Sequence, residues 1–76
     1  MDWRQYIHSD SETLNGKPVV KGTRLSVEFL LSLFAAGWTE QQVLDNYPTL
    51  TVEALRAVFA YAAEGMQEDT LYLSFV

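Results

Sequence analysis

The chain has no cysteine, one histidine, two prolines and five basic residues against ten acidic ones in 76 positions. Each shortage excludes something. Without cysteine there can be no disulfide and no thiolate nucleophile, and His8 alone cannot build an all-protein zinc site, so two usual supports of small domains are missing. No run of 18 apolar residues occurs and Met1-Asp2-Trp3 lacks the basic start of a signal peptide, so no membrane association is expected and the expected location is the cytoplasm. A formal net charge of −5 argues against sequence-independent binding to polyanions, which rests on Lys and Arg neutralising phosphates. Catalysis has little to work with. His8 stands near Asp10, but no serine sits in a nucleophile elbow and no carboxylates pair at ligand spacing, so neither an enzyme nor a cofactor is expected.

Apolar residues are plentiful, at 49% of the chain with 13% aromatic. A 76-residue domain buries a smaller share of its surface than a large one, so part of this apolar surface should remain for a partner, and a homodimer is expected. Charge is unevenly placed. From Thr13 to Val27 there are three cations, Lys17, Lys21 and Arg24, and no acid; beyond them Glu28, Glu40, Asp45, Glu53, Glu64, Glu68 and Asp69 face only Arg56.

The spacing predicts a mainly α domain in three parts: an extended arm over 1–24, a three-helix body over 25–65, and a C-terminal strand or tail over 66–76. Trp3 to His8 reads as a short strand, Ser9-Asp10-Ser11 and Asn15-Gly16 as turns, and Pro18 to Lys21 as an edge strand closed by Gly22. The two strands should form a small ribbon against the helices. One N-terminal device then occurs three times: Ser26, Thr39 and Thr51 each stand as an N-cap, preceded by Leu25, Trp38 and Leu50 and followed at the fourth helical position by Leu30, Val43 and Leu55. The helices are expected over Val27 to Ala36, Glu40 to Tyr47 and Val52 to Glu64, ended by Gly37, Pro48 and Gly65.

On the first helix Val27, Leu30, Leu31 and Phe34 form the inward stripe. On the second, Val43, Leu44 and Tyr47 do so. On the third, Leu55, Val58, Phe59 and Ala62 face the core, while Ala54, Ala57, Ala60, Tyr61 and Ala63 make the other side small and apolar. A helix apolar on nearly every side is covered twice, so Ala57, Ala60 and Tyr61 are the expected dimer interface. Arg24 lies at a helix start, where the dipole disfavours cations, so a carboxylate or backbone carbonyls elsewhere should hold it, Glu28 being the nearest candidate. The tail alternates Leu71, Leu73 and Phe75 against Tyr72, Ser74 and Val76, a strand pattern that can add to a sheet edge. Leu71, Tyr72, Leu73 and Phe75 are its expected partner contacts, with Glu68 and Asp69 steering a basic partner.

Three helices of these lengths outline a helix-turn-helix domain, winged-helix-like with its β ribbon, in which Lys17, Lys21 and Arg24 are the candidate DNA contacts. The stretch from Asn15 to Glu64, with GKPVVKGTR, a helix ending in AAG, a short helix ending in NYP and an alanine-rich helix ending in YAAE, closely resembles the domain-of-unknown-function 433 family. That resemblance implies a small antitoxin of a type II toxin-antitoxin system, whose partner is a PIN-like ribonuclease toxin and which can also bind its own operator DNA. A helix-turn-helix transcriptional regulator and a plain dimeric interaction module are the alternative readings.

Overall fold

The structure, a computed structural model, describes residues 1–12 and 14–69. A 3-10 turn at Trp3–Gln5 leads into strand β1 (Ile7–His8), a loop, strand β2 (Val19–Val20), and then helices α1 (Val27–Ala35), α2 (Glu40–Asn46) and α3 (Val52–Asp69). The strands are antiparallel, with Ile7 opposite Val20 and His8 opposite Val19.

The connector from Pro18 to Val27 doubles back on itself. Thr23 N–H donates to the Val20 carbonyl at 3.0 Å, closing a turn whose third residue, Gly22, has φ +78°. Only glycine takes that conformation without a steric cost, which explains a glycine between two bulky positions. Thr23 Oγ1 donates to the same carbonyl and accepts from Leu25 N–H, so the corner is held by its own side chain. Beyond it Val20 N–H donates to Leu25 O at 3.0 Å, Val27 N–H donates to Pro18 O at 2.9 Å, and a single bridge joins Val19 to Ser26.

Strand β2 therefore has β1 on one side and the approach to α1 on the other. It is interior, not the edge strand that Pro18 suggested. Pro18 stands just ahead of the ladder and supplies a carbonyl, so its missing N–H costs nothing. The first strand is also shorter than expected: Trp3 to Tyr6 turn through a 3-10 helix, capped by the Asp2 side chain on Arg4 N–H, and only Ile7 and His8 are extended.

All three expected N-caps form. Ser26 Oγ accepts from Phe29 N–H at 2.9 Å, Thr51 Oγ1 from Ala54 N–H at 3.1 Å, and Thr39 and Gln42 form a full capping box at 3.1 and 2.8 Å. Helix α1 ends on a Schellman motif. Gly37 (φ +97°) donates to Phe34 O and Trp38 N–H reaches back to Leu33 O, both at 3.0 Å. The third helix, by contrast, does not stop at Gly65. It continues to Asp69, so the expected tail is helical over Met66–Asp69. A glycine ends a helix only where the chain takes the left-handed conformation; in a helical interior it costs about 1 kcal/mol, and α3 carries that cost.

One or more fully buried side chains come from each principal element: Val19 from β2, Leu30 from α1, Val43 from α2, and Leu55, Ala57 and Val58 from α3. Ile7, Val20, Val27, Leu50 and Ala54 complete the core. A Cβ at Gly65 would meet no atom within 4 Å. Replacing Gly65 with alanine should thus stabilise the chain by roughly 0.5–1 kcal/mol, read as a melting temperature higher by about 4–8 °C per kcal/mol. An unchanged or lower melting point would mean that α3 is not continuous there.

Candidate functional site

Helix α3 is used on several sides. Its inner face carries Ala54, Leu55, Ala57 and Val58. Ala57 is wholly covered by its own chain, so it cannot belong to the dimer interface expected of it. Much of the alanine face is covered, with β1 and the 3-10 turn packed against α3: Ala54 and Ala57 are buried and Ala60 is half-buried, while Ala63 stays exposed.

Tyr61 is taken up in the same way. The Trp3 ring meets it edge-on, with centroids 4.8 Å apart and planes at 89°. The Trp3 indole N–H donates to the Glu64 carboxylate, and Arg4 lies over the indole at 4.4 Å with its guanidinium 3.4 Å from Glu64 Oε1 and 3.7 Å from Asp2 Oδ1. The N-terminal turn thus clasps the middle of α3, and of the expected interface residues Ala60 and Tyr61 remain only half-exposed. The sequence carried little sign of this clasp, because Trp3 and Glu64 are 61 positions apart.

A second side of α3 is open. Phe59 is 43% exposed rather than in the core, Val52 is 39% exposed and Met66 66%, while Arg56 and Ala63 are exposed between them. Phe59 touches the half-buried Phe34 ring of α1 at 5.0 Å, so it lies across the α1–α3 seam instead of beneath it. Phe59 and Ala62 were expected inward with Leu55 and Val58; the real inner face is rotated toward Ala54 and Ala57, and Ala62 is half-buried.

The connector cations separate. Lys17 Nζ sits 3.2 Å from Glu28, the residue expected to hold Arg24. Arg24 and Lys21 are exposed at the two ends of the Gly22 turn, and among the described residues neither has a carboxylate within ion-pair distance. The pairing differs from expectation because the chain reverses at Gly22, which brings Lys17, beside Pro18, back next to the first turn of α1. His8 is exposed on β1, and the nearby Asp10 side chain accepts from Glu12 N–H at 2.9 Å, forming the expected turn. Glu68 and Asp69 fall in the last turn of α3, whereas Leu71, Tyr72, Leu73 and Phe75 lie outside the described residues.

The family model described as protein of unknown function DUF433 matches residues 7–62, from β1 through most of α3. This chain belongs to the DUF433 family. It is 36% identical over 59 residues to the uncharacterized protein y4eO of Sinorhizobium fredii (strain NBRC 101917 / NGR234), a match covering 78% of this chain and 27% of that protein. Its fold is similar to the crystal structure of a DUF433 member from Anabaena variabilis ATCC 29413, with a TM-score of 0.76 and 27% identity over 82% of this chain and 61% of that one. The chain therefore spans about a quarter of the curated relative's length. Trp3, Arg4 and Glu64 fall outside the matched DUF433 span, so the clasp is described for this chain alone. Among the described residues no helix is long and apolar enough to cross a membrane.

The clasp combines a ring contact with charge pairs, and the two should differ in weight. Trp3→Ala removes a half-buried indole and its contact with Tyr61 and should cost about 1–3 kcal/mol. Arg4→Ala removes exposed ion pairs and should cost less than about 1 kcal/mol. Urea denaturation of both variants checks the order; an Arg4 variant as destabilised as the Trp3 variant would mean that charge holds the clasp.

Proposed function

We propose that this DUF433 chain is a non-catalytic, self-associating protein-interaction domain that serves as the antitoxin of a type II toxin-antitoxin pair, with a basic PIN-like ribonuclease as its partner. The observation that carries this reading is the exposed acidic exterior of the helices: Glu40, Asp45 and Glu53 project outward on α2 and the start of α3. Such a surface speeds encounter with a basic protein cleft and repels phosphates. Residues 70–76, with Leu71, Tyr72, Leu73 and Phe75, would supply the sheet-adding segment, and Glu68 and Asp69 would precede it at the end of α3.

A second reading is favoured by one feature, the exposed Lys21 and Arg24 flanking a rigid turn. In that reading α2 and α3 act as a helix-turn-helix pair and the turn contacts operator phosphates. The exposed face of α3 offers Arg56 beside Glu53, a poor donor set for base edges, so the protein-partner reading has the better electrostatics.

Added in equimolar amount to the PIN-type nuclease encoded beside its own gene, the chain should suppress RNA cleavage, and a form lacking residues 70–76 should not. Full cleavage in the presence of the intact chain would overturn the antitoxin reading. For the second reading, a promoter fragment should be bound with a steep dependence on salt that becomes shallower in Arg24→Ala. Absence of any shift at low salt would dispose of it.

A further inference from the structure

We infer that α3 pairs with α3 of a second copy of this chain, antiparallel about a two-fold axis, through the exposed side formed by Val52, Arg56, Phe59, Ala63 and Met66. This inference rests on the self-association proposed above and replaces the alanine face first expected to carry it.

The five residues are spaced four, three, four and three apart, and every one is exposed. That is the alternation with which one helix presents a continuous strip to another, about 21 Å long over these fourteen steps, of which an antiparallel register setting Arg56 over Phe59 pairs positions 52–63 and leaves Met66 beyond the start of the second copy's helix. It is distinct from the side of α3 that meets its own core. Val52, Phe59 and Met66 recur at intervals of seven and hold three of the chain's exposed large apolar side chains. Phe59 also rests against the Phe34 ring of α1, with ring centroids 5.0 Å apart.

The chemistry of the seam favours a copy of itself as the occupant. The chain bears ten acids and a net charge of −5, so two copies repel over most of their surfaces. The seam carries no acid, and its one charge is Arg56. In a parallel pair Arg56 would face Arg56 of the other copy and the like charges would oppose contact. The antiparallel register sets Arg56 of each copy over Phe59 of the other, making two symmetric cation–π contacts, and places Val52 against Ala63, large against small. Glu53, on the flank, then meets the alanine-rich residues 60–63 of the second copy rather than another acid. Opposed helix directions also set the two helix dipoles head to tail.

Base reading by α3 would need the same face, so the pairing and a helix-turn-helix role for α3 exclude one another.

Sedimentation equilibrium of the intact chain at about 0.1 mM should give twice the 8.6 kDa chain mass. Phe59→Asp should leave a monomer with unchanged helical circular dichroism. Arg56→Glu, a change at an exposed position, should leave the helical circular dichroism unchanged and raise the dimer dissociation constant about tenfold. Because the native chain has no cysteine, the register can be read by cross-linking. A mixture of Val52→Cys and Ala63→Cys chains should oxidise to a covalent heterodimer, while each alone stays mostly unlinked, since its own copies lie about 16 Å apart along the axis. A monomeric native chain, a folded Phe59→Asp or Arg56→Glu variant as dimeric as the native chain, or single-cysteine variants that link as fast as the mixture would each overturn the pairing. A monomer that still silences the nuclease would remove the self-association and this pairing but leave the antitoxin reading; a dimer without effect on the nuclease would remove the antitoxin reading alone.

Discussion

The reversal of the connector at Gly22 is the constraint on which the rest of the chain depends. It returns the backbone so that Pro18 O accepts from Val27 N–H and Val20 N–H finds Leu25 O, which ties the last strand to the first turn of α1. A two-residue ribbon would be marginal in water. Here it is bounded by β1 on one side and by the approach to α1 on the other, and both Val19 and Val20 are buried. The direction of α1, and with it the position of Phe34 and of the seam it shares with α3, follows from that corner. GKPVVKGTR is thus a structural corner in which Pro18 and Gly22 have specific tasks and most of the charge is incidental. Lys17 is spent on Glu28, leaving Lys21 and Arg24 as the outward cations.

Helix α3 is the second organising element because it serves three neighbours at once. Its alanine side admits β1 and the N-terminal turn, its leucine and valine side closes the core, and its third side stays in solvent. The division of labour follows side-chain size. Ala54 and Ala57 allow close approach, Leu55 and Val58 fill volume, and Val52, Phe59 and Met66 are left partly exposed to solvent. An acidic body with one acid-free apolar strip is a molecule that can avoid most contacts and still make a chosen one. Its small core and lack of disulfides make such a contact energetically useful as well.

Much of the architecture could be read from the chain because it is written in local signals. The caps at Ser26, Thr39 and Thr51 depend on residues within one turn of each other, and so does the Schellman ending at Gly37. Membership of the DUF433 family was likewise legible in the connector and the helix endings. What could not be read were choices between faces. The residues of α3 are apolar on most of its circumference, so helical periodicity alone leaves the inner side undetermined, and its larger side chains point to Phe59 inward and Ala57 outward, the reverse of what the packing does. The continuation through Gly65 was equally hidden, since glycine marks an end only when its backbone turns left-handed.

By itself, then, the amino-acid sequence determined the number of helices, their starts, the turn chemistry of the connector and the family, because each is set by neighbours a few residues apart. Only the tertiary structure decided which side of α3 is covered, that Trp3 reaches Glu64 and Tyr61, that Lys17 and not Arg24 meets Glu28, and that β2 is interior. Those outcomes depend on where distant segments come to lie. The packing of the whole chain fixes that, and no local pattern of residues encodes it.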